Sequence, residues 1–464
     1  MSRVTPLRRL VDRLVPPGAL LLATLSAGYF AAGIVRNRIL SNSFGAGPEL
    51  DAYNAAFRIP EVALNVLVAS GLSAPFVPIF SRLLGPDDEA GRAEAEAFGQ
   101  TVMTAAAAVM AIAAVVLVVA APWLADTIWK DFDGPTRGLY VNLLRINAAA
   151  VVLFAVSNTL GDVLVVRRRF LLYGLAPILY TSGIVIGGLV LSPVAGIYGP
   201  AIGAVGGAVA HVAVRAIGSR RAGFRIRPRF AVRSAPFREF LALMLPRMIS
   251  YPIDPVLVTF MTTLAVGTGA GGATALSFVL DYQFVPVDLI AIAFSLAVFP
   301  VLSRAWADGD GPAFRRVLVR NIVTIGVLTS LAAVVLAVLA RPLVSILLGG
   351  GRFGPEAVSL TAGLLVAFAI SIPVDGLSYP LSRALYATGN TIWQVGASIA
   401  GLVVVVAAAQ VLVPATGAAG IAIAYTLGGA VKVAVLIVAV VRRVGPLDAA
   451  PLPLSNAGLA ADPG

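Results

Sequence analysis

The chain has 464 residues, of which 59% are hydrophobic and only 12% are charged, and its formal net charge is +11. Soluble domains carry about 25% charged residues, so this composition argues against a soluble enzyme and predicts a membrane protein. With no cysteine and a single histidine, the chain lacks the ligands for thiolate or histidine-cluster metal sites, and we predict no catalytic residue, metal or cofactor.

Twelve apolar runs are long enough to cross a bilayer, because a hydrocarbon core about 30 Å thick takes roughly 20 helical residues. In chain order, the runs are residues 17–40, 58–84, 99–124, 138–163, 170–193, 197–218, 239–267, 273–302, 318–347, 356–382, 391–413 and 416–441. Since lipid cannot satisfy free backbone groups, and the runs are too uniformly apolar for barrel strands, we predict an all-α protein. A basic segment precedes the first run without an evident cleavage site, which predicts a retained first helix.

Arginines are concentrated in alternate loops. If the N-terminus is cytoplasmic, the cytoplasmic segments collect 24 of the 34 Lys and Arg residues, eight of them between Arg215 and Arg238. Opposite loops such as "SPVAGIYGP" carry no charge at all. By the positive-inside rule, this asymmetry predicts a multi-pass protein with both termini in the cytoplasm, and it accounts for the net charge without a nucleic-acid partner.

The two halves of the sequence repeat short words at one offset. "PIFSR" at 78–82 recurs as "PVLSR" at 300–304, and "GGAV" at 206–209 recurs at 428–431. Six spans per half give both halves the same orientation, which predicts a pseudo-twofold axis along the membrane normal and a central site between two lobes. The predicted parts are a first lobe at 1–220, a basic cytoplasmic linker at 221–238, a second lobe at 239–443 and a disordered cytoplasmic tail at 444–464.

Charged side chains in or beside the spans are the candidate substrate-binding residues, because a charge in the bilayer core is unfavourable unless it faces water or a partner. Arg36 and Arg38 lie near the outer end of the first span, Asp51 lies in the loop that follows, and Arg58 and Glu61 open the second span. Guanidinium groups at the mouth of a cavity suit an anion, and phosphate above all. Snorkelling to the outer interface and a structural ion-pair network are the alternative interpretations.

Further charged residues are scattered through later spans, where lining a cavity and structural pairing are equally compatible with the sequence. Those that we include among the candidate substrate-binding residues are Arg145, Arg247, Asp254 and Asp281, and Asp375 is of the same kind. His211 is predicted to be a buried, hydrogen-bonded histidine. The sequence has no phosphate-cradling GxxxxGK[ST] loop, so we expect an ion gradient or the membrane potential, rather than ATP, to supply energy.

Specific motifs appear in both halves. "VRNRILSNSFGAGPELDAYNAAFRIPE", followed by "ASGLSAPFVPIFSR", and later "LLGGGRFGPEAVSLTAGLL" and "YPLSRALYATGNT", resemble the MurJ/MviN family of lipid II flippases. This family is part of the multidrug/oligosaccharidyl-lipid/polysaccharide exporter superfamily. The resemblance implies a two-lobed bundle in the bacterial cytoplasmic membrane. It also implies alternating-access transfer of an undecaprenyl-pyrophosphate-linked peptidoglycan precursor from the inner to the outer leaflet, with positions of importance at Arg36, Asp51 and Arg58.

The chain also departs from the family's usual pattern. Phe30 and Asn37 stand where the family usually has an arginine and an aspartate, Asp281 stands at a usually basic position, and twelve rather than fourteen spans are predicted. These departures leave two alternative functions. The chain could transfer another lipid-linked oligosaccharide, or it could export drugs as a multidrug exporter of the same superfamily. A non-transporting scaffold that recruits partners through the basic linker is a further alternative. The expected partners are the lipid-linked glycan, membrane lipids and a coupling ion.

Overall fold

Helices make up almost all of the chain that the computed structural model describes, which comprises residues 19–66, 72–85, 89–250 and 253–447. From the N-terminus the helices are α1 (Ala19–Phe44), α2 (Pro48–Leu64), α3 (Ser73–Leu84), α4 (Glu89–Thr127), α5 (Gly134–Val166), α6 (Phe170–Ile186), α7 (Ser192–Ala195) and α8 (Tyr198–Arg221). They continue as α9 (Ala235–Ser250), α10 (Ile253–Gly267), α11 (Gly272–Pro286), α12 (Ala293–Ala307), α13 (Gly311–Leu347), α14 (Pro355–Ala369), α15 (Ser371–Ala387), α16 (Ile392–Thr416) and α17 (Ala418–Val444). No β-strand occurs within these residues, which confirms the predicted all-α class.

Eight helices of the described part are long and apolar enough to cross a membrane. They are Glu89–Thr127, Gly134–Val166, Phe170–Ala195, Tyr198–Arg221, Gly272–Ala307, Gly311–Leu347, Ile392–Thr416 and Ala418–Val444. The pair α14 and α15, bent by 42°, makes a ninth if it forms one span. A polytopic membrane protein is thereby confirmed, while twelve spans and two six-helix lobes stay predictions. Of the predicted tail at 444–464, residues 448–464 lie outside the described part.

Three predicted spans each contain residues of two of these helices, and residues 67–71 and 251–252 of the first two lie outside the described part. Residues 58–84 contain the end of α2 and all of α3, residues 239–267 are shared by α9 and α10, and residues 356–382 are shared by α14 and α15. Within a fourth span, Pro286 precedes a π-helical segment at Val287–Ile292. A proline inside a helix removes one backbone hydrogen bond, and such a loss is a common origin of kinks. Hydropathy alone does not detect the bend between α14 and α15 or the π-helical segment, because the sequence stays apolar across them.

The structure divides into two compact units, the first of which comprises Met1–Phe278 and Arg341–Ala362. Its core contains stacked aromatic rings, with the centroid of Phe76 lying 5.2 Å from that of Phe80 and 5.3 Å from that of Phe98. Helix α5 begins where Asp133 accepts a hydrogen bond of 2.8 Å from the Thr136 N–H. Hydrogen bonds from Thr136 hold the pKa of the Asp133 carboxyl below its ordinary value.

Helices α6 and α8 of the first unit approach each other closely enough to need glycine. A Cβ atom added at Gly183 would lie 2.5 Å from Gly207 Cα and 2.6 Å from the Gly203 carbonyl oxygen. In lipid, helices associate through close packing rather than through the hydrophobic effect, and small residues at the contact permit it. This glycine contact therefore joins α6 to α8.

The second unit comprises Val279–Ala340 and Gly363–Gly464. Its core includes Phe314 and Leu318 from α13, Leu385 from α15 and Leu436 from α17, all fully buried. A polar group lies within this unit: the Asp375 carboxylate accepts hydrogen bonds from Gln283 Nε2 at 2.9 Å and from the Tyr425 hydroxyl at 3.1 Å. For Asp375, the sequence was compatible both with lining a cavity and with structural pairing. The structure shows that Asp375 has structural partners.

Candidate functional site

Asp51 was predicted to lie in a loop, but it lies in the first turn of α2. The helix begins early because Pro48 occupies its first turn, where the missing proline N–H is not needed. The Asp51 side chain is buried and accepts hydrogen bonds from the Gly271 N–H at 2.6 Å, the Thr274 N–H at 2.7 Å and the Thr274 hydroxyl at 2.7 Å. These donors belong to the start of α11, whose first amides have no partner within their own helix. Asp51 thus anchors α11 to α2.

Arg38 binds the C-terminal end of a helix, whereas Asp51 binds the N-terminal end of another. Its Nη1 donates a hydrogen bond of 2.5 Å to the carbonyl of Ile346, near the C-terminus of α13, and the Ser41 hydroxyl donates one of 2.9 Å to the carbonyl of Leu348. A cationic side chain at a helix C-terminus satisfies its last carbonyl groups and complements its dipole. Close by, Arg352 forms an ion pair of 3.0 Å with Glu49 at the start of α2. Arg38 is exposed, and its contact assigns it a structural role at the end of α13.

Arg36 lies two residues before Arg38 on α1, in a different environment. The residue is half-buried, and its Nε and Nη2 donate to Asn37 Oδ1 at 3.0 and 2.8 Å. The phenol groups of Tyr53 on α2 and Tyr180 on α6 both lie within electrostatic range of this guanidinium. The structure therefore surrounds Arg36 with polar groups from three helices of the first unit.

Arg58 belongs to the same group of side chains. Its side chain is 15% exposed, its Nη1 lies 3.4 Å from Glu61 Oε2, and its Nη2 lies 3.5 Å from the Ser277 hydroxyl on α11. Its Nε is buried and has no hydrogen-bond partner among the described residues. Glu61, which is 52% exposed, also lies within electrostatic range of Tyr180.

The arginine–tyrosine cluster is the name we give to the set that these contacts define. It contains Arg36, Tyr53, Arg58, Glu61 and Tyr180. Two guanidinium groups and two phenols in a largely apolar bundle can donate many hydrogen bonds to one anionic, oxygen-rich ligand. The sequence identified the charged members, but it missed both tyrosines because a tyrosine inside an apolar run carries no distinguishing signal.

The remaining predicted site residues lie elsewhere. Arg145 is exposed on α5, and its Nε lies 3.4 Å from the carbonyl of Val118 on α4. Asp254 is exposed in the first turn of α10, and Asp281 is exposed on α11. The side chain of Arg247 lies outside the described residues. Of the predicted set, the structure pairs Arg58 with Glu61, and Tyr180 lies within electrostatic range of both Arg36 and Glu61.

A second buried polar group in the first unit was largely missed. Arg215 on α8 is 5% exposed, donates to the carbonyl of Ser157 at 3.0 Å, and lies over the Tyr173 ring with its Cζ 4.9 Å from the centroid. His211 Nδ1 lies 2.7 Å from the Ser157 hydroxyl, which confirms the prediction of a buried, hydrogen-bonded histidine. Asp162 is also buried. Asp162 and Arg215 both lie at the ends of predicted spans, where the sequence gives no sign of burial. Arg215 was therefore predicted to belong to the cytoplasmic segments.

Comparison with known proteins adds independent information. The model of a family described as lipid II flippase MurJ matches residues 40–455. The lipid II flippase MurJ of Burkholderia cenocepacia is 23% identical over 419 residues, which cover 89% of this chain and 81% of the relative. A probable lipid II flippase MurJ of Rhizobium tropici is 26% identical over 433 residues, which cover 91% and 79%.

Solved structures are similar in fold. A lipid II flippase MurJ in an inward closed conformation aligns with a TM-score of 0.77 at 21% identity, covering 91% of this chain and 87% of that one. A multidrug resistance MATE family transporter of the MOP superfamily, in an inward-facing conformation, aligns with a TM-score of 0.73 at 14% identity, covering 90% and 95%. At such identities the structural likeness speaks for the fold alone.

Proposed function

The chain belongs to the MurJ family of lipid II flippases, and from this premise we propose that the arginine–tyrosine cluster binds the pyrophosphate and sugar headgroup of the flipped lipid. Lipid II transfer by alternating access across the bacterial cytoplasmic membrane is the function that family membership supports. The observation that carries the assignment of the site is the buried Nε of Arg58, which has no hydrogen-bond partner among the described residues. A guanidinium with spare donors in a low-dielectric setting favours a phosphate ligand.

Each side chain of the cluster has a distinct part in this binding. Arg36 and Arg58 present planar forks that match two phosphate oxygens, and the phenol of the half-buried Tyr180 donates to a sugar hydroxyl or a phosphate. Tyr53 is buried within electrostatic range of Arg36. Glu61 holds one nitrogen of Arg58 and leaves its Nε for the ligand. The lipid tail remains in the bilayer, so only the polar headgroup has to cross.

Alternating access requires contacts that form on one side and break on the other. The hydrogen bonds of Asp51 to α11, of Arg38 to the end of α13 and of Arg352 to Glu49 lie near the end of α1 and the start of α2. The predicted topology assigns these helix ends to the outer side of the membrane. In the predicted two-lobe scheme, each contact joins residues of the first lobe to residues of the second. We infer that these contacts close the outer side and separate when the protein opens outward.

Weakening this closure should expose the outer end of α2. Asp51→Ala removes three hydrogen bonds to a carboxylate, each worth about 1.5–3 kcal/mol, and leaves the first amides of α11 without a partner. Because the chain has no cysteine, Asn54→Cys supplies a single thiol beside Thr274, which the Asn54 amide contacts at 3.5 Å. We expect a membrane-impermeant maleimide added from outside to label this thiol at least several times faster in the Asp51→Ala background. Equal labelling in both backgrounds would show that Asp51 does not hold the outer side closed.

The membrane potential acts in the direction that the function requires. The headgroup is anionic, and a potential that is negative inside drives negative charge outward with about 2.3 kcal/mol per elementary charge for every 100 mV. We propose that the potential contributes to export, with a coupling ion as an added source.

Complementation tests the function as a whole. Cells depleted of their own essential lipid II flippase should grow when they express the full chain, and a reconstituted chain should transfer lipid II between leaflets. Expression is verified by immunoblotting of the membrane fraction. The contrary result is a chain that reaches the membrane but neither restores growth nor transfers lipid II. If that chain transfers another lipid-linked oligosaccharide, the oligosaccharide lipid and not lipid II is the substrate.

A further inference from the structure

The start of the predicted basic linker is hydrogen-bonded to α4. We call residues 224–230, which follow α8, the cytoplasmic strap. The Arg225 N–H donates to Glu96 Oε1 at 2.7 Å, Gln100 Nε2 donates to the Arg225 carbonyl at 2.7 Å, and the Arg229 N–H donates to the Thr104 hydroxyl at 3.0 Å. These bonds use the backbone of the strap, so its arginine side chains are not consumed by them.

One aromatic side chain fixes the beginning of the strap. Phe224 is 3% exposed and packs against Phe80, with 6.3 Å between ring centroids. Gly99 leaves room for it, since a Cβ there would lie 2.9 Å from the Phe224 ring. The strap is therefore held at its start by packing and along its length by hydrogen bonds.

The spacing of these bonds shows that the strap is extended. Eight helical residues separate Glu96 from Thr104, a rise of about 12 Å. Four residues separate Arg225 from Arg229, and a nearly extended chain of four residues spans about 13 Å. In an extended chain alternate side chains point the same way. Accordingly, the side chains of Arg225, Arg227 and Arg229 are exposed, whereas Phe224 and Ile226 are buried or half-buried.

The strap runs from the charged start of α4 towards its apolar part. The charged residues of α4 near its start end at Glu96, and the predicted span begins at 99, so Thr104 already lies inside it. Just beyond Arg229, Phe230 is 69% exposed and Val232 is 44% exposed. Exposed aromatic and aliphatic side chains next to arginines are typical of segments that lie in the membrane interface.

A cavity of about 320 Å³ opens beside the strap. Its lining includes Arg92, Glu96, Arg167 and Phe224, and an adjoining depression is lined by Arg220, Arg225 and Arg227 among others. Arg167 Nε is buried and has no hydrogen-bond partner among the described residues. Glu96, the carboxylate in this lining, already accepts the Arg225 N–H. Guanidinium groups thus outnumber carboxylates around the cavity.

We propose that the strap and this cavity bind the phosphate headgroups of anionic lipids in the cytoplasmic leaflet. Arginines beside a membrane surface attract anionic lipid, and their planar forks match phosphate oxygens. Exposed Phe230 inserts among the lipid chains while the arginines hold the headgroups. This site is separate from the arginine–tyrosine cluster and does not depend on transport, so the two proposals fail independently.

Lipid enrichment next to the strap tests the proposal on the full chain. The absence of cysteine allows Ser234→Cys to carry a single fluorophore just past the strap, in nanodiscs of phosphatidylcholine. Brominated phosphatidylglycerol and brominated phosphatidylcholine are then compared as quenchers at equal mole fraction. We expect phosphatidylglycerol to be enriched at least tenfold near the label, because each arginine contributes about fivefold. Equal quenching by the two lipids would overturn the proposal.

Two triple variants separate the strap from general charge. The test variant is Arg225→Gln with Arg227→Gln and Arg229→Gln, and its backbone hydrogen bonds are kept. The matched control removes three other exposed arginines through Arg304→Gln, Arg316→Gln and Arg320→Gln. Enrichment should fall to near one in the test variant and persist in the control, with unchanged thermal unfolding in both. Enrichment that survives the test variant contradicts the proposal. Displacement of the lipid by excess inorganic phosphate would show a site for a free anion instead.

Discussion

Replacing Arg58 by alanine is expected to lower the rate of lipid II transfer by at least tenfold while leaving the protein folded. The substitution removes the guanidinium whose Nε is buried without a partner, together with its contacts to Glu61 and Ser277. A hydrogen bond to a charged group contributes about 1.5–3 kcal/mol, and tenfold corresponds to about 1.4 kcal/mol. The same loss is expected for Arg36→Ala, because both forks are proposed to hold the pyrophosphate.

The measurement is lipid II transfer in proteoliposomes, with Arg145→Ala as the matched control. Arg145 is an arginine on a neighbouring helix of the first unit, but it is exposed and contacts the carbonyl of Val118. Its replacement should leave the rate within about twofold of the parent chain. Arg58→Lys keeps the charge but loses the planar fork, so we expect an intermediate rate. Parent-like transfer by both alanine variants at Arg36 and Arg58 would remove the cluster from the binding site.

Gly183→Leu is expected to prevent stable folding of the first unit. Its Cβ would lie 2.5 Å from Gly207 Cα, and backbone atoms cannot move aside as the end of a flexible side chain can. Forcing extra atoms into a packed contact costs about 1–3 kcal/mol, and separating two whole helices adds to that amount. Fluorescence-detected size-exclusion chromatography and thermal unfolding in detergent would register the loss.

Gly206→Leu is the control for this effect. Gly206 lies on α8, one residue from Gly207, but a Cβ there meets no atom within 4 Å. Leucine also favours a helix over glycine by roughly 0.5–1 kcal/mol, so we expect stability to be unchanged or slightly higher. If the variants at Gly183 and Gly206 unfold at the same temperature, the glycine contact between α6 and α8 does not hold the unit together.

Arg36, Arg38 and Asp51 show how far local sequence information reaches. Their charge inside or beside apolar runs marks all three as unusual, and sequence reasoning grouped them into one site. In the structure, Arg38 and Asp51 complete the ends of α13 and α11, whereas Arg36 faces polar side chains. Identical charges on one helix therefore have different roles, and the choice depends on which face of the helix each side chain occupies and on what packs there.

The glycine contact and the cytoplasmic strap lead to the same conclusion. Gly183 resembles every other glycine of an apolar helix, and the alternating arginines of the strap resemble any basic loop. Gly183 matters because α8 approaches it closely. The strap is held in place because side chains of α4 accept hydrogen bonds from its backbone.

The sequence by itself determined the all-helical membrane class. Hydropathy over some 20 residues is a local property, and an apolar segment of that length is stable in the bilayer as a helix. It also determined the family, through motif words that follow one another along the chain. Only the tertiary structure decided which of these charges complete the ends of distant helices. Asp51 meets its donors 220 and 223 residues later in the chain, and Arg38 meets its acceptor 308 residues later. Partners at such separations are brought together by folding, and no local pattern encodes them.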